Sequence, residues 1–225
     1  MNTTPSAHPH VNIIDKKHTY LYLTALLLCA FALTFTACGD DEDDKEYPNW
    51  RQTNEAYYNQ LFTETQERIA GGDTSWKIIR NYTFEEPVGT APERNIVVHV
   101  LNEGTGTGCP LFTDTVRIHY RGRLLPSTSY PDGLVFDETW LTDYDLETMY
   151  PVKLGVPSLI DGFATALQHM HIGDRWEVYI PYQLGYGTKG QDAIPGYSML
   201  KFDITLMAYY RAGQVVPEWK APRRR

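Results

Sequence analysis

The sequence predicts an α+β fold in which several antiparallel strands form a sheet that packs on one short helix. From residue 95 onward the apolar period is two, in segments 95–101, 115–124, 174–181 and 199–208. Such alternation is typical of antiparallel strands with one face on a core and one face in water. One stretch of helical period, residues 158–170, lies between the second and third segments. A single helix among several amphipathic strands predicts that the helix packs on one face of the sheet.

The alternation also assigns a side of the sheet to each residue. Val116, Ile118 and Tyr120 are predicted to face inward. His119 falls on the outward side of the same segment, so we expect it to be solvated. The other predicted inward residues are Trp176, Val178, Ile180, Leu200, Phe202, Ile204 and Leu206. The helical stretch completes the predicted core with an apolar face of Leu159, Ile160, Phe163, Ala166, Leu167 and Met170.

A second helix is predicted ahead of this domain. Residues 50–70 have helical periodicity, and the two glycines at 71–72 are a strong stop signal. The stripe is formed by Tyr57, Leu61 and Thr65, with Tyr58, Phe62 and Ile69 close to it. We expect this helix to pack on its neighbour. A strand-like piece and a linker follow over residues 73–94, so we divide the chain into an N-terminal extension, residues 50–94, and a main domain, residues 95–210.

The first 37 residues are expected to be a targeting segment rather than part of the fold. Lys16 and Lys17 precede an apolar run from about Thr19 to Phe35, and small residues follow it, as in a secretory signal peptide. The alternative is a permanent transmembrane helix, because the run is long enough to cross a bilayer. The acidic run at residues 40–44 favours the signal peptide, since membrane helices are more often followed by Lys or Arg.

The end of this segment, Phe35-Thr36-Ala37-Cys38, resembles a bacterial lipobox. The resemblance implies cleavage before Cys38 and lipidation of its thiol, and two or three acyl chains would anchor the protein stably in a membrane. Residues 38–49 would then form an acidic, flexible tether, because such a composition cannot bury apolar surface. The acidic run also resembles the tags of surface-exposed bacterial lipoproteins, although a merely soluble spacer has the same composition.

Charge and cysteine content narrow the classes of function. The net charge of −8 argues against a nucleic-acid partner, because binding to phosphates requires a basic face. The tail over residues 211–225 ends in three arginines, which we expect to be solvated. Cys29 would leave with the signal and Cys38 would carry lipid. Cys109 would then have no partner for a disulfide within the mature chain.

A series of short motifs in the main domain resembles one known family. The motifs are Ile118–Gly122, Asp132–Asp137, Leu154-Gly155, Leu159–Phe163, Met170–Asp174, Ile180–Gly187, Ile194-Pro195 and Leu200–Phe202. In this order and spacing they resemble the FKBP family of peptidyl-prolyl cis/trans isomerases, over residues 95–208. The resemblance implies a twisted antiparallel sheet of five to six strands wrapped around a short helix, which agrees with the α+β fold that the periodicity predicts.

The resemblance further implies an apolar cup between helix and sheet that holds a Xaa-Pro segment. Its catalytic residues would be Tyr120, Phe136, Asp137, Tyr186 and Phe202. Its other substrate-binding residues would be Tyr150, Leu159, Ile160, Phe163 at the floor, and Ile194. The backbone N–H of Ile160 and the hydroxyl of Tyr186 would hold carbonyl groups beside the proline. Two of these residues have a purely structural alternative, because Phe202 also suits a core position and Asp137 also suits a turn cap.

Three departures from the family pattern are expected to border the cup. Phe163 stands where many members have Trp, and Gln191 stands near the position of a common His. Residues 138–149 form an acidic and aromatic insert, which we expect beside the cup. These departures bear on macrolide affinity and on the preference for the residue before proline more than on the fold.

Isomerisation of a Xaa-Pro bond requires neither a nucleophile nor a metal. The barrier of about 18–20 kcal/mol comes from the loss of amide resonance, and no covalent bond to the enzyme is needed to cross it. We therefore expect no cofactor. His169 and His171 are two residues apart, but the sequence offers no evident third ligand for a metal site.

The sequence thus predicts an isomerase that assists the folding of exported proteins from a lipid anchor in the cell envelope, on the periplasmic or the surface-exposed side of the outer membrane. Its partners would be proline-containing polypeptides and the membrane, with macrolides as possible inhibitors and no nucleic acid. The alternative is a chaperone or peptide-binding module with weak or no catalysis, which the helix at 50–70 and the insert motivate. A surface adhesin that uses the cup only as a scaffold is a third reading.

Overall fold

A computed structural model describes residues 43–85, 87–140 and 143–220 of the chain. The predicted signal peptide, Cys38 and the start of the predicted tether lie outside the described residues. Within the described ranges, no helix is both long enough and apolar enough to cross a membrane.

The described chain contains three α-helices and a seven-stranded sheet. The helices are α1 (Asp43–Glu46), α2 (Trp50–Ala70) and α3 (Asp161–Leu167). The strands are β1 (Trp76–Arg80), β2 (Asn95–Asn102), β3 (Thr115–Arg123), β4 (Val135–Glu138), β5 (Val152–Gly155), β6 (Arg175–Ile180) and β7 (Leu200–Tyr210). Short 3-10 turns span Pro92–Arg94, Val156–Ser158 and Tyr182–Leu184.

All pairs of neighbouring strands are antiparallel, in the order β1-β2-β6-β7-β3-β4, and β5 also pairs with β3. The predicted α+β fold is therefore confirmed, with one strand more than expected. The additional strand is β1, where Ile78 lies opposite Val97 and Arg80 opposite Asn95. Because β1 extends the same sheet, the predicted domain boundary at residue 95 does not separate two units. Residues 43–220 lie within one compact unit.

The core lies between α3 and the inner face of the sheet, as predicted. The inward residues of β3, β6 and β7 are all buried, among them Ile118, Trp176 and Ile204. Every residue of α3 after Asp161 is buried, and the helix packs on β1, β2 and β6. Gly162 allows this close approach, because a Cβ there would lie 2.3 Å from Cγ2 of Ile180. The helix is shorter than the predicted stretch 158–170, since a 3-10 turn precedes it.

Helix α2 has the predicted bounds and packs on β1 and β2, but a different stripe is buried. The buried residues are Trp50, Asn54, Tyr58, Phe62 and Thr65. Tyr57, which the apolar periodicity placed in the stripe, is 42% exposed. Thr65 belongs to both stripes, but the buried stripe also contains the polar Asn54, so a pattern based on apolar residues gave the wrong rotation of the helix.

The predicted flexible tether is wrong for its last residues, because residues 43–49 are folded onto the domain. Asp43–Glu46 form α1, and the Glu46 carboxylate accepts hydrogen bonds from the Ser127 hydroxyl and, at 3.0 Å, from the backbone N–H of Ser129. These bonds lower the pKa of Glu46 below its ordinary value. Tyr47 continues the contact by packing edge-on against Trp50, with ring centroids 4.7 Å apart.

The outer face of the sheet is covered by the chain itself, which contradicts the prediction that His119 is solvated. Residues 138–140 and 143–149 lie on this face, where the Tyr144 ring lies 3.6 Å from the Arg175 guanidinium and the Tyr144 hydroxyl is hydrogen-bonded to the Thr205 hydroxyl. Thr205 lies opposite His119 in the register of β3 and β7. As a result His119 is 0% exposed, and burial lowers its pKa from 6.5 to about 4.

The C-terminal segment also crosses the outer face. The Arg117 guanidinium donates a hydrogen bond to the carbonyl of Pro217, and it lies 5.9 Å from the ring of Trp219. Arg117 is therefore buried, although the alternation placed it in solvent. The three terminal arginines lie outside the described residues.

Candidate active site

A cavity of about 350 Å³ opens between α3 and the inner face of the sheet. Strands β3, β4, β5 and β7 supply one wall, and the turn before α3 supplies another. The loop between β6 and β7 forms the remaining edge. The lining residues are Tyr120, Phe136, Asp137, Leu154, Ser158, Leu159, Ile160, Phe163, Tyr186, Gln191 and Phe202. We call this cavity the cup.

Four aromatic rings form the floor and one side of the cup. Phe202 is at the centre, with ring centroids 4.9 Å from Phe163, 5.4 Å from Phe136 and 6.3 Å from Tyr120. The contacts with Phe163 and Phe136 are edge-to-face, at interplanar angles of 84° and 86°. Aromatic rings favour this arrangement because the positive edge of one ring meets the negative face of the next. The rings are therefore fixed against one another while one side of the cluster remains open to the cup.

Gly122 on β3 makes this ring packing possible. A Cβ at this position would lie 2.5 Å from the Phe136 ring and 2.7 Å from the Phe202 ring. Such distances are too short for any side chain, so the rings would have to move. The glycine of the Tyr120-Arg121-Gly122 motif therefore has a packing role in the cup.

The polar groups of the cup lie at its edge. The Tyr120 hydroxyl donates a 2.6 Å hydrogen bond to Oδ2 of Asp137. Burial, followed by this bond to a carboxylate, raises the pKa of Tyr120 above its ordinary value. Burial also raises the pKa of Tyr186, with a smaller contribution from the charge of Asp137. Both phenols therefore remain protonated donors at neutral pH.

Two donors at the cup have no partner among the described residues. The backbone N–H of Ile160 precedes the first turn of α3 and bonds no other described group. The Tyr186 hydroxyl, on the β6–β7 loop, likewise has no hydrogen bond within the described part of the chain. Buried or half-buried donors are normally paired, so these two groups are suited to bind carbonyl oxygens of a ligand.

The structure brings together most of the residues that the sequence assigned to the cup. Those that line it are Tyr120, Phe136, Asp137, Leu159, Ile160, Phe163, Tyr186 and Phe202. Phe202 lines the cup and is only 4% exposed, so it is a wall residue and a core residue at the same time. Ile194 is buried behind the edge, where its backbone pairs with that of Gln191 in both directions.

Tyr150 does not belong to the cup, and its assignment is wrong. Its side chain is 66% exposed and lies beside Pro151 and Val216, on a groove of the outer face. The cause is the path of the insert, which leaves β4 toward the outer face rather than along the rim. The expectation that residues 138–149 border the cup is wrong for the same reason, since Trp140 and Tyr144 stack on Arg121 and Arg175.

Three lining residues were absent from the predicted site. Leu154 lies two residues after Val152 on β5, so the period of two was a usable signal for its orientation. Gln191 had been identified only as a departure from the family pattern. Ser158 gave no signal, because its place depends on the 3-10 turn that precedes α3.

The two histidines considered as a metal pair have separate partners. Nδ1 of His169 lies 2.9 Å from the carbonyl oxygen of Thr165, and Nδ1 of His171 lies 3.6 Å from Oδ2 of Asp174. Among the described residues, no three His, Cys, Asp or Glu side chains are grouped as metal ligands.

Comparisons with known proteins agree with this geometry. Residues 110–207 match the sequence model of the family described as FKBP-type peptidyl-prolyl cis-trans isomerase. The macrophage infectivity potentiator of Trypanosoma cruzi is 37% identical over 120 residues, which cover 53% of this chain and 55% of that protein. The FKBP-type 22 kDa peptidyl-prolyl cis-trans isomerase of Escherichia coli K12 is 36% identical over 116 residues, which cover 51% of this chain and 50% of the relative.

Solved structures were compared as well. A crystal structure of a peptidyl-prolyl cis-trans isomerase from Pseudomonas syringae aligns with a TM-score of 0.45 and 26% identity, over 68% of this chain and 96% of that one. The chain spans about half the length of the curated relatives described above. Over residues 110–207, which include every residue that lines the cup, the chain is therefore similar to the FKBP-type peptidyl-prolyl cis-trans isomerase family.

Proposed function

We propose that this protein is a peptidyl-prolyl cis/trans isomerase that acts on exported proteins from a lipid anchor at the cell envelope. The observation that carries the proposal is the cup, where four packed aromatic rings meet two unpaired hydrogen-bond donors. A proline ring fits an apolar cavity of about 350 Å³, and the donors are suited to the carbonyl groups on either side of it.

The energetics of the reaction explain why an apolar cup is suitable. A planar amide carries partial charges on oxygen and nitrogen, and water stabilises that charge separation. Twisting the C–N bond removes the resonance and lowers the polarity of the amide. An apolar cup that excludes water therefore destabilises the planar ground state relative to the twisted transition state. Each tenfold gain in rate requires a difference of only about 1.4 kcal/mol.

The polar groups fix the direction of the substrate. We assign the Ile160 backbone N–H and the Tyr186 hydroxyl to the carbonyl oxygens that flank the proline. The Asp137 carboxylate holds the Tyr120 hydroxyl, and it fixes this ring at the wall of the cup. Its negative charge at the cup edge also interacts with the dipole of the twisted carbonyl. No step requires transfer of a proton or formation of a covalent bond.

The proposed location rests on the N-terminal sequence alone. The basic and apolar segment before Cys38, together with the lipobox-like residues 35–38, supports export and lipidation. Substrates would then be proteins that have already crossed the inner membrane. The full chain with Cys38→Ala tests the anchor, since mass spectrometry should find lipid on the wild-type protein and none on the variant, whose apolar leader should also remain uncleaved. A wild-type protein that carries no lipid contradicts the proposal.

A protease-coupled assay with a Xaa-Pro peptide and the full chain tests the activity. Phe136→Ala removes a cup ring and should reduce kcat/KM by at least about tenfold, since an aromatic contact and a well-placed substrate are both lost. Phe112→Ala is the matched control, because Phe112 is an exposed aromatic outside the cup. A macrolide directed at FKBP domains should inhibit the wild-type chain. Equal activity of Phe136→Ala and wild type contradicts the proposed site.

The chaperone alternative has less support in the folded chain than in the sequence. It was motivated by the additional helix at residues 50–70 and by the acidic insert beside the cup. The buried stripe of α2 instead packs on the sheet, and the insert stacks on the outer face. Suppression of aggregation of an unfolded client by the Phe136→Ala variant, at wild-type level and without isomerase activity, would favour this alternative.

A further inference from the structure

Helix α2 contacts the loop that forms one edge of the cup. This loop, residues 181–199, connects β6 to β7 and carries Tyr186 and Gln191, which both line the cavity. We propose that α2 is a clamp that positions this edge loop for substrate binding, and that Trp50 and Asn54 are its positioning residues. The inference rests on the proposed isomerase function for its kinetic consequence, but the effect on the loop is independent of catalysis.

The first contact joins Trp50 to the end of the edge loop. The indole Nε1–H of Trp50 donates a 2.8 Å hydrogen bond to Oγ of Ser198. The Ser198 hydroxyl in turn donates a 2.7 Å bond to the carbonyl of Pro195. Trp50 and Ser198 are both buried, so this chain of bonds is shielded from water. It connects the first residue of α2 to the backbone next to Ile194.

The second contact is made by Asn54, one turn further along the helix. Asn54 is 1% exposed, and its Oδ1 accepts a 2.8 Å hydrogen bond from the backbone N–H of Met199. Its Nδ2 donates a 2.7 Å bond to the carbonyl of Trp50. A buried polar residue on a helix face is costly unless both ends of the amide are paired. Here both ends are used, and one of them holds the edge loop.

A third contact lies nearer the surface and involves two tyrosines of the loop. The Arg51 guanidinium lies 4.7 Å from the centre of the Tyr197 ring. The Tyr182 hydroxyl donates a 3.2 Å hydrogen bond to Oε1 of Glu55. Tyr182 and Tyr197 pack edge-on, with centroids 5.1 Å apart. Both ends of the edge loop are therefore bound to the same face of α2.

The backbone of the loop transmits these contacts toward Tyr186. Tyr197 has a φ of 63°, in the left-handed region that is costly for a residue with a large side chain. Its backbone N–H donates to the carbonyl of Gly187, and the N–H of Gly187 donates to the carbonyl of Tyr182. These bonds span the loop on both sides of Tyr186. The strained conformation persists only while its surroundings hold it, and α2 supplies part of those surroundings.

The expected consequence for the reaction is a change in substrate affinity. If the clamp is loosened, Tyr186 and Gln191 occupy the binding-competent arrangement for a smaller fraction of the time. The apparent dissociation constant then rises in inverse proportion to that fraction. Bound substrate itself holds the loop, so the rate of the bound complex should change less. The clamp therefore predicts a rise in KM with little change in kcat.

The test compares two substitutions on the same helix in the full chain. Trp50→Phe keeps an aromatic ring but removes the donor to Ser198. Tyr58→Phe is the matched control, because it removes a buried hydroxyl that donates a 2.7 Å bond from α2 to the carbonyl of Asn95 on β2, outside the loop. Each change removes one buried hydrogen bond between α2 and the rest of the domain. Asn54→Leu provides a second, independent disruption of the clamp.

Two readouts separate the clamp from the proposed activity. Amide hydrogen exchange of residues 181–199, followed by mass spectrometry without substrate, should be faster in Trp50→Phe and Asn54→Leu and unchanged in Tyr58→Phe. In the isomerase assay, both clamp variants should raise KM by about fivefold, the equivalent of one lost hydrogen bond, with kcat within about twofold of wild type.

The outcomes are distinct. Unchanged exchange in the loop of both clamp variants overturns the clamp, whatever the activity. Faster exchange of the loop with an unchanged KM overturns the role of the clamp in substrate binding. An equal rise of KM in Tyr58→Phe shows a global effect of the substitutions and also overturns that role. If the wild-type chain neither binds nor isomerises a Xaa-Pro peptide, the proposed function fails, while the exchange measurement still decides whether α2 holds the loop.

Discussion

Both faces of the sheet carry packed aromatic side chains, but those of the inner face border the cup, whereas Trp140 and Tyr144 on the outer face are stacked on arginines. On the inner face, Phe136, Phe163 and Phe202 pack edge-on and border a cavity. On the outer face, Trp140 and Tyr144 stack on guanidinium groups supplied by the strands. The rings of Trp140 and Tyr144 already contact arginines of the same chain, so the rings of the inner face are the ones available to a ligand in the cup.

The difference follows from the side chains that the strands present on each face. Several outward residues of β6 and β7 are charged and paired with one another, as in the two-bond contact of Arg175 with Asp203 at 2.6 and 3.0 Å. A guanidinium that is already paired still presents its flat face, and an aromatic ring covers it favourably. The inward residues are mostly aliphatic or aromatic, and the Tyr120 hydroxyl lies at the edge of the cup. Substitutions on the two faces should therefore affect different properties, binding on one and stability on the other.

The largest effect is expected at Gly122, under the rings of the cup. Gly122→Val should displace Phe136 and Phe202, because even a Cβ would lie within 2.7 Å of both rings. We expect kcat/KM to fall by about a hundredfold, as for other misplacements of about 1 Å in an active site. Gly155→Ala is the control, since its Cβ would meet nothing closer than 3.7 Å. Unchanged activity of Gly122→Val would show that the ring packing does not matter for catalysis.

On the outer face, Trp140→Ala should reduce stability and leave catalysis intact. Trp140 is buried over Arg121, and removal of a large buried ring costs about 3 kcal/mol of unfolding free energy. Urea unfolding measures this loss, and the isomerase assay on the folded variant should give the wild-type KM. A raised KM with normal stability would mean that the insert contributes to the cup after all.

The buried His119 should make the stability of the fold dependent on pH. Burial lowers its pKa from 6.5 to about 4, so the unfolded chain binds a proton in this interval and the folded chain does not. Stability should therefore fall as the pH drops from about 6.5 toward 4, with a loss of about 2 kcal/mol between pH 7.5 and pH 5. Urea unfolding of wild type and His119→Leu across this range measures the difference.

The contribution of His119 is isolated by that comparison. The His119→Leu chain should lack the corresponding part of the pH dependence, while His171→Asn, which changes an exposed histidine, should retain it. Identical slopes for wild type and His119→Leu between pH 7.5 and pH 5 would contradict the assignment.

The smallest effect is expected for the single hydrogen bond between the Tyr144 and Thr205 hydroxyls, which are 2.7 Å apart. Tyr144→Phe keeps the ring over Arg175 and removes only this bond, so we expect a loss of about 1 kcal/mol in unfolding free energy. Tyr130→Phe, at an exposed tyrosine, is the control and should be neutral. A loss as large as that of Trp140→Ala would indicate that the hydroxyl network, rather than the stacked rings, fixes the insert.

The sequence predicted the features that depend on local periodicity. Ile118, Val178 and Ile204 alternate with polar residues, so the strands and their inner faces could be assigned before the fold was known. The cup residues on these strands followed from the family motifs. Helix α2 was also predicted with the right bounds, because Gly71 and Gly72 mark its end.

The features that were missed depend on contacts between distant parts of the chain. His119 is buried because the insert crosses the outer face, and the alternation within β3 contains no information on that covering. Tyr150 was misplaced because the direction of the same insert is not encoded in a local period. Glu46 was assigned to a tether because its partner Ser127 lies 81 residues away. For His119 and Glu46 the sequence predicted exposure to solvent, but a distant segment of the chain supplies a partner or a cover.

The most direct test of the account is the exchange rate of a Xaa-Pro peptide measured by NMR exchange spectroscopy, with the full chain and one variant of each face. The account predicts rapid cis/trans exchange with wild type and with Trp140→Ala, and a catalysed rate lower by at least about tenfold with Phe136→Ala. Equal exchange rates with Phe136→Ala and wild type, or loss of exchange only with Trp140→Ala, would contradict the assignment of the cup as the active site.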